Sequence, residues 1–437
     1  MTHVATSSVV TSASGAPRPS RLIRRVPFFY GWVVLAAGTA GIVLMGPSQT
    51  FTVSLFIDSF VRDLGISRAN VSLLYGVATL SASFLLPITG RLVDRYGTRR
   101  LIVVTALAFG LSIMALSQVT GVVTLLAGLL LVRFLGFGSM QLVSSTAIAQ
   151  WFVRRRGLVM GLAGQSLAIS LLIFPALSSR LITAFGWRGA WVALGGLSML
   201  LMVPVGWLFF RDRPELYGLH PDGDSDAHSV ELSGEEHWTL PEARRTGVFW
   251  LFAAAFSTLS MITAGLVFHQ ASLFAVRGLA LALAVHSFQI SALFSIGGNL
   301  AMGVLLDRVS PRWLLVAQMG LLAACMLMVQ FLQSWGQVLL YSALMGVVTG
   351  GMRVMDATVW AKYFGRRYLG SIRGATMLGT VGGTALGAYP LGLSYDLLGS
   401  YAPALTTLLV LPAAIALLAL TIKRPARRAA NAMESNR

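Results

Sequence analysis

Two charged residues interrupt a long apolar run in the C-terminal half of the chain. Arg353 and Asp356 lie within residues 336–361, and a spacing of three places them on one face of a helix. An arginine in an apolar setting can bind an anion, and a carboxyl group beside it can carry a proton or tune the arginine. Two interpretations stay open. Either the pair neutralises itself and supports helix packing, or Arg353 binds an anionic group while Asp356 serves as its partner.

Four other polar side chains stand inside apolar runs or near their ends. Arg133 is alone in its run, where a charge costs at least ~2.5–3.5 kcal/mol, so one interpretation is that it bonds backbone carbonyls of a broken neighbouring helix. Gln141 either faces a polar cavity or bonds another helix. His269 and His286 could relay protons near neutral pH, or they pack at an interface, since no paired acid is evident.

The composition excludes an ordinary soluble enzyme. Of the 437 residues, 56% are hydrophobic and 11% are charged, and the mean hydropathy is +0.74. A soluble domain carries about 25% charged residues. No Ser/His/Asp set, phosphate-cradling loop or metal-ligand spacing is recognisable in the sequence. We therefore expect an integral membrane protein without enzymatic activity, cofactor or metal.

Apolar runs long enough to span a bilayer recur through the chain. A spanning helix needs about 20 mostly apolar residues. The sequence predicts twelve such helices, near residues 29–56, 69–89, 101–118, 121–149, 158–179, 189–210, 247–270, 280–302, 314–333, 336–361, 374–397 and 401–421. Tyr30, Trp32, Trp187 and Trp191 fall near span ends, where aromatic residues anchor helices at the interface.

The basic residues indicate an orientation. With twelve spans and a cytoplasmic N-terminus, most of the 33 Lys and Arg residues fall in loops on one side, as the positive-inside rule requires. Both termini would then be cytoplasmic in a plasma membrane, here the bacterial inner membrane. The same distribution accounts for most of the net charge of +17 without nucleic acid as a partner.

One charged loop occurs twice. The first copy lies at residues 90–100 between the second and third spans, and the second at residues 303–312 between the eighth and ninth. A similar aromatic-to-arginine pattern begins at Phe152 and again at Phe364, 212 residues later, and the two charged loops are 213 residues apart. A parallel internal duplication explains both repeats. We expect the two loops to form a cytoplasmic gate, made of Gly90, Asp94, Arg95, Gly97, Arg99 and Arg100 in the first copy and Gly303, Asp307, Arg308 and Arg312 in the second.

The predicted organisation has five parts. Residues 1–26 form a disordered cytoplasmic tail, residues 27–210 an N-terminal six-helix bundle, and residues 211–246 a polar, turn-rich linker. Residues 247–423 form a C-terminal six-helix bundle, followed by a cytoplasmic tail at 424–437. The fold class is therefore an all-α membrane protein of two pseudo-symmetric six-helix bundles.

With these motifs the sequence resembles the major facilitator superfamily of secondary transporters. The first charged loop matches every fixed position of the superfamily's signature between helices 2 and 3, and Arg133 in Arg133-Phe-Leu-Gly-Phe-Gly138 looks like the arginine of its fourth-helix motif. The resemblance covers about residues 27–423. It implies a central cavity between the bundles, substrate binding near the midplane, alternating access, and a role for Arg133 in coupling or in helix bonding.

Finer features resemble the oxalate/formate antiporter and monocarboxylate transporter branches. They include Tyr30-Gly-Trp-Val-Val34 and Gly186-Trp-Arg-Gly-Ala-Trp191. These branches commonly place an eighth-helix arginine against the substrate carboxylate, but Asn299 occupies that position here. We expect Arg353 to take over the cationic role that Asn299 cannot fill.

The resemblance leaves three functions to compare. The first is a transporter of small, monocarboxylate-like organic anions, working by proton symport or anion exchange. The second is a proton-coupled exporter of amphipathic or cationic compounds, which would need an acid such as Asp356 rather than Arg353. The third is a transporter-like sensor without flux, against which the intact gate sequence argues.

Overall fold

The structure is a computed structural model that describes residues 21–152, 155–223, 238–365 and 369–422. Most of the two predicted tails, the middle of the linker, and the basic residues Arg154, Arg366 and Arg367 lie outside the described residues. The backbone of Asp94 is described but its side chain is not. Within the described ranges the elements are helices and no strand occurs.

Twelve helical spans run through these ranges. Their bounds are α1 (Gly31–Leu64), α2 (Arg68–Tyr96), α3 (Thr98–Gln118), α4 (Val122–Trp151), α5 (158–185), α6 (187–209), α7 (Gly247–Val276), α8 (Leu281–Arg308), α9 (Pro311–Phe331), α10 (Trp335–Phe364), α11 (369–398) and α12 (Ala402–Thr421). A short helix at Leu240–Arg244 lies in the described part of the linker.

The number of spans follows from two interruptions. By length and hydropathy alone, 10 helices in the described chain could cross a membrane, and one of them, Leu158–Phe209, has 52 residues. That length is ~78 Å at 1.5 Å per residue, far beyond a ~30 Å hydrocarbon core. Gly186, with φ 68° and ψ 171°, breaks it into α5 and α6. Span α11 is interrupted at Gly387, which divides it into Leu369–Leu386, of 18 residues, and Ala388–Leu398, of 11 residues, and neither piece is among the 10. The predicted twelve-helix architecture is confirmed.

Equivalent helices pack together in the two halves. In the N-terminal half α2 packs on α4 and α3 on α6, and in the C-terminal half α8 packs on α10 and α9 on α12. The halves meet where α2 contacts α11 and where the α5–α6 segment contacts α8. The pairing of α1–α6 with α7–α12 is the pseudo-symmetry that the duplicated charged loops predict.

Glycines set the closest helix crossings. On α10, a Cβ at Gly346 or Gly350 would collide with backbone carbonyls of Ser291 and Ser295 on α8. Small residues of this kind let helix backbones approach closely in a bilayer, where apolar burial gives little drive for association. Close contacts at glycines also join the two halves. A Cβ at Gly76 of α2 would collide with the Ala385 carbonyl of α11, and one at Gly392 would lie 3.0 Å from the Cα of Ala69.

We expect Gly350→Ala to destabilise the protein by about 1–3 kcal/mol, because α8 and α10 must separate to admit the methyl group. Unfolding can be followed with a thiol-reactive fluorophore, since Cys325 is the sole cysteine and is buried. Gly320→Ala is the matched control: nothing lies within 4 Å of the added Cβ, so its melting temperature should stay equal or rise slightly. Equal melting temperatures for Gly350→Ala and the wild type would contradict this account of the crossing.

Three of the four expected interface anchors are wrong. Tyr30 is 1% exposed, and its hydroxyl donates to the Phe209 carbonyl at 3.0 Å. Trp191 is fully buried and stacks on Phe56 with ring centroids 4.1 Å apart. Trp187 is 5% exposed, and its indole nitrogen donates to Asp63 at 2.6 Å. The two tryptophan rings fill the N-terminal bundle beside the α1–α2 connection, and the Tyr30 ring packs against Trp151 with ring centroids 5.6 Å apart. None of the three rings therefore faces lipid head groups.

Candidate functional site

A cavity of about 230 Å³ lies between the two halves. Helices α1, α4 and α5 contribute from one half, and α7, α8, α10 and α11 from the other. Its surface is mainly apolar and includes the rings of Phe51, Phe137 and Phe288. Its polar lining residues are Gln49, Thr50, Arg133, Ser260, Thr263, Gln270, Ser291, Thr349, Arg353 and Thr384. Both arginines that the sequence places inside spans therefore reach one cavity.

Arg133 is held on every side. It is 2% exposed, its Nε donates to Thr79 at 3.0 Å, and its Nη1 donates to the Ser48 carbonyl at 2.9 Å. Its guanidinium also lies over the ring of Phe137, 4.2 Å from the centroid. The Ser48 carbonyl is free to accept because α1 is broken there, by a 3₁₀ turn at Gly46–Ser48. Arg133 thus bonds a broken neighbouring helix, which is one of the two roles considered from sequence.

Arg353 is the contrasting arginine. It is half-buried and lines the cavity from α10, yet no described residue offers it a hydrogen bond, an ion pair or an aromatic ring. Buried charges are normally paired, so an unpaired guanidinium facing a cavity favours an anion as its partner.

Asp356 does not neutralise Arg353. Its carboxylate accepts from the Trp360 indole at 3.0 Å and pairs with Arg373 of α11 at 3.4 Å. A separation of three residues leaves about 60° between two side chains around a helix, which is enough to turn Asp356 away from the cavity. The interpretation as a self-neutralising Arg353–Asp356 pair is therefore wrong within the described part of the chain.

Three other candidates lie away from the cavity lining. Gln141 is half-buried on α4. Asn299 is half-buried on α8, where its backbone nitrogen lies against Gly350. His286 is exposed, with its Nδ1 3.1 Å from the Gln289 side chain. The structure brings none of these three side chains to the cavity.

His269 lies where the halves meet. We call the end of the bundle that carries the two charged loops the hairpin end, and the opposite end the far end. Toward the far end, His269 is fully buried, and its Nε2 lies 2.9 Å from the Ala388 carbonyl and 3.2 Å from the Ser72 hydroxyl. Since a carbonyl only accepts, Nε2 carries a proton. His269 thus links α7 with α11 and, through Ser72, with α2 of the other half.

Carboxylates also join the halves at the far end. Asp396 of α11 accepts from the backbone N–H of Ala69 at 2.7 Å, at the start of α2. Asp58 accepts from Arg68 at 2.5 Å and from Ser272 of α7 at 3.2 Å. These residues, which the sequence did not single out as a group, close the far end by polar contacts between the bundles.

We expect Asp396→Asn to shift the protein toward a state with an open far end. The contact is partly solvated, so its loss costs about 1 kcal/mol, or roughly a fivefold change in the two populations. Distances between spin labels at positions 62 and 277, which are exposed on opposite halves, would report the shift. Asp63→Asn is the control because Asp63 bonds only within its own half. An unchanged distance distribution in Asp396→Asn would contradict the prediction.

The first charged loop is tied to the linker. Gly97 has φ 80°, and Asp212 accepts from the backbone N–H of Arg99 at 3.1 Å, so the linker caps the start of α3. The Arg99 guanidinium donates to the Trp207 carbonyl at 2.9 Å. The remaining described members of the loop, Arg95 and Arg100, are exposed, and Gly90 has open space around it.

The second charged loop is more open. Asp307 and Arg308 are exposed, and Arg312 lies over the Trp313 ring at 5.4 Å. Lys362 donates to the Leu306 carbonyl at 2.5 Å. In the described residues no ion pair joins the two charged loops, and Gly303 has open space around it, so the gate stays a prediction.

Known proteins resemble this chain along most of its length. The sequence profile of the Major Facilitator Superfamily matches residues 39–329. The 4-hydroxybenzoate transporter PcaK of Pseudomonas aeruginosa is 26% identical over 421 residues, covering 87% of this chain and 90% of PcaK. The uncharacterized MFS-type transporter YhjX of Escherichia coli is 22% identical over 268 residues, covering 60% of this chain and 63% of YhjX. Human monocarboxylate transporter 1 is 27% identical over 187 residues, covering 40% of this chain and 36% of that protein.

The chain therefore spans less than two thirds of both YhjX and monocarboxylate transporter 1. Among solved structures, a bacterial homologue of the human lysosomal transporter Spinster, in an inward-facing and occupied conformation, superposes with a TM-score of 0.70. That likeness covers 91% of this chain and 99% of the homologue at 15% identity, so it concerns the fold. Together with the twelve spans and the cavity between two repeated halves, the profile match identifies the chain as a member of the Major Facilitator Superfamily of membrane transporters.

Proposed function

We propose that this transporter carries a small organic anion bearing a carboxylate, by alternating access of the central cavity. The observation that supports this most directly is Arg353, a cavity arginine without a partner among the described residues. Charge-assisted hydrogen bonds from a guanidinium to a carboxylate are among the strongest polar contacts. The apolar rings of the cavity suit the carbon body of such an anion. Relatives named as 4-hydroxybenzoate, sulfoacetate and monocarboxylate transporters agree with this chemistry.

The second candidate is export of amphipathic or cationic compounds. A multidrug resistance protein B homologue of Mycobacterium tuberculosis is 32% identical over 185 residues, covering 40% of this chain. A cation needs an acid in the cavity, and none lines it among the described residues. Asp356, the acid expected for that role, is occupied by Arg373 and Trp360. The cavity therefore favours the anion.

The proposal includes an orientation. The hairpin end would face the cytoplasm, following the basic residues, so polar contacts at the far end would make this an inward-facing state. Substrate would reach Arg353 from the hairpin end, and the bundles would then rock to open the far end. Coupling would be to a proton or to a second anion, which transport measurements in vesicles would distinguish.

A thermal-shift screen of purified protein against carboxylates tests the substrate class. A ligand at 100 times its Kd stabilises the folded state by about 2.7 kcal/mol. Stabilising carboxylates would then be tested for counterflow in vesicles, with a pH gradient or an internal anion supplied in turn to identify the coupling. Stabilisation by amphipathic cations and by no carboxylate would overturn the proposal in favour of the exporter.

The charged loops should act as the gate at the hairpin end. We expect Asp94→Asn to lower transport about tenfold or more, with protein still inserted in the membrane, because a charge-assisted contact is worth about 1.5–3 kcal/mol. Glu215→Gln, an exposed carboxylate-to-amide change at the same end, is the control. Wild-type flux in vesicles made with Asp94→Asn would refute the gate.

A further inference from the structure

A second polar group faces the cavity without a partner. Gln49 lies in α1 immediately after the 3₁₀ turn at Gly46–Ser48, with an extended backbone of ψ 151°, before helical structure resumes at Thr50. The break turns its side chain into the cavity. Gln49 is only 6% exposed, and its Nε2 has no hydrogen-bond partner among the described residues.

Other polar groups that line the cavity form hydrogen bonds elsewhere and do not bond the Gln49 amide. The Thr50 hydroxyl lies 2.8 Å from the Tyr75 hydroxyl, and Gln270 donates to Ser287 at 2.8 Å. Thr349 donates to the Met345 carbonyl of its own helix at 3.0 Å. Buried amides almost always have a hydrogen-bond partner, so an unpaired one on a cavity surface points to a ligand atom.

Gln49 and Arg353 stand on opposite halves of the molecule, and both line the same cavity. We propose that the substrate is a carboxylate bearing a second, uncharged oxygen, a hydroxyl or a carbonyl, which Gln49 binds while Arg353 holds the carboxylate. This inference rests on the proposed function. Gln49 is then the residue that selects hydroxy- or oxo-acids over the corresponding plain acids.

The charges of the cavity argue against a second carboxylate. Arg133, the other lining cation, already donates to Thr79 and to the Ser48 carbonyl and is stacked on Phe137. An uncharged amide suits an uncharged oxygen, and a hydroxyl fits either orientation of the amide because it both donates and accepts. The volume of about 230 Å³ is below the 300–1,000 Å³ usual for drug-sized ligands, which restricts the substrate to a small acid.

Such a ligand would contact both bundles at once. A plain acid would satisfy Arg353 but leave the Gln49 amide unpaired, and sites built to bond a substrate hydroxyl discriminate strongly against analogues without it. A ligand bound by both Gln49 and Arg353 would therefore hold the two halves together. A plain acid would make its polar contact with the C-terminal half alone.

Matched pairs of acids that differ by one hydroxyl test the inference: glycolate and acetate, lactate and propionate, 4-hydroxybenzoate and benzoate. Binding is measured by thermal shift and by calorimetry on the full chain in detergent. We expect at least one hydroxy-acid to bind the wild type tenfold or more tightly than its partner. In Gln49→Leu the ratio should fall to about one, with binding of the plain acid retained. Gln118→Leu, at the exposed end of α3, should keep the wild-type ratio.

The outcomes separate the two proposals. If every hydroxy-acid binds the wild type less than tenfold more tightly than its plain partner, the role of Gln49 is overturned while the proposed anion transport stands, and this measurement needs no variant. A ratio unchanged in Gln49→Leu overturns it equally. If no acid of any pair binds the wild type and no other carboxylate of the screen stabilises it, the proposed function itself fails.

Discussion

Replacing Arg353 with glutamine should abolish tight binding of the anionic substrate while leaving the protein folded. The substitution removes the sole lining cation of the described cavity that has no partner of its own. Removing one member of a buried, hydrogen-bonded charge pair costs about 2–5 kcal/mol, so the Kd for a stabilising carboxylate should rise by roughly 30-fold to several thousand-fold. The ligand-free melting temperature should change little, because Arg353 makes no hydrogen bond or ion pair in the described structure and glutamine keeps part of its aliphatic stem.

The control for Arg353→Gln is Arg277→Gln. Arg277 is exposed just after α7 at the far end, so the same chemical change there should leave both Kd and flux at wild-type values. Calorimetry with the best carboxylate from the screen gives Kd, and counterflow in vesicles gives transport. Full transport by Arg353→Gln at normal expression would end the assignment of Arg353 to the anion.

Replacing Arg133 with methionine should have the opposite pattern, a large loss of stability. Methionine keeps much of the length but none of the donors, so the Ser48 carbonyl and the Thr79 hydroxyl lose their charged partner. Hydrogen bonds to a charged group are worth about 1.5–3 kcal/mol each, and a loss of about 3 kcal/mol is expected after partial relaxation. The broken part of α1 should lose its anchor to α4.

The thiol-reactive assay with Cys325 measures this loss. Arg180→Met, on the exposed surface of α5, is the matched control and should melt within a degree or so of the wild type. A melting temperature unchanged in Arg133→Met would show that its hydrogen bonds contribute no net stability. The melting temperatures and Kd values of Arg133→Met and Arg353→Gln together would distinguish Arg133, expected to support the fold, from Arg353, expected to bind the ligand.

The architecture could be predicted from the sequence because its signals are local. Apolar runs, basic loops and the repeated pattern around Asp94 and Asp307 each depend on residues close together in the chain. The break between α5 and α6 was also readable, because Gly186 stands where one apolar run ends and the next begins. The number and order of the spans could therefore be predicted without knowing how the helices pack.

The site could be predicted only in part because its contacts are long-range. The spacing of Arg353 and Asp356 is local, but the guanidinium that reaches Asp356 comes from Arg373 on another helix. Trp187 was misplaced for the same reason, since its partner Asp63 belongs to a distant segment. Gln49 was missed because it follows Gly46-Pro47-Ser48 in a run taken as continuous helix. Glycine and proline inside that run were the available signal of a break.

The glycines at the seam between the halves bear on how the transporter moves. At Gly76 and Gly392 the two bundles touch through backbone and a few small groups instead of interlocking long side chains. At these two positions the backbones can move apart without withdrawing long side chains, so little dispersion energy is lost there. Larger contacts between the halves, such as Tyr75 of α2 against Phe268 of α7 with ring centroids 4.8 Å apart, would have to separate as well. If the bundles rock as proposed, the glycine contacts would offer little resistance, and the polar contacts of Asp58, His269 and Asp396 would contribute much of the energy that distinguishes a closed far end from an open one.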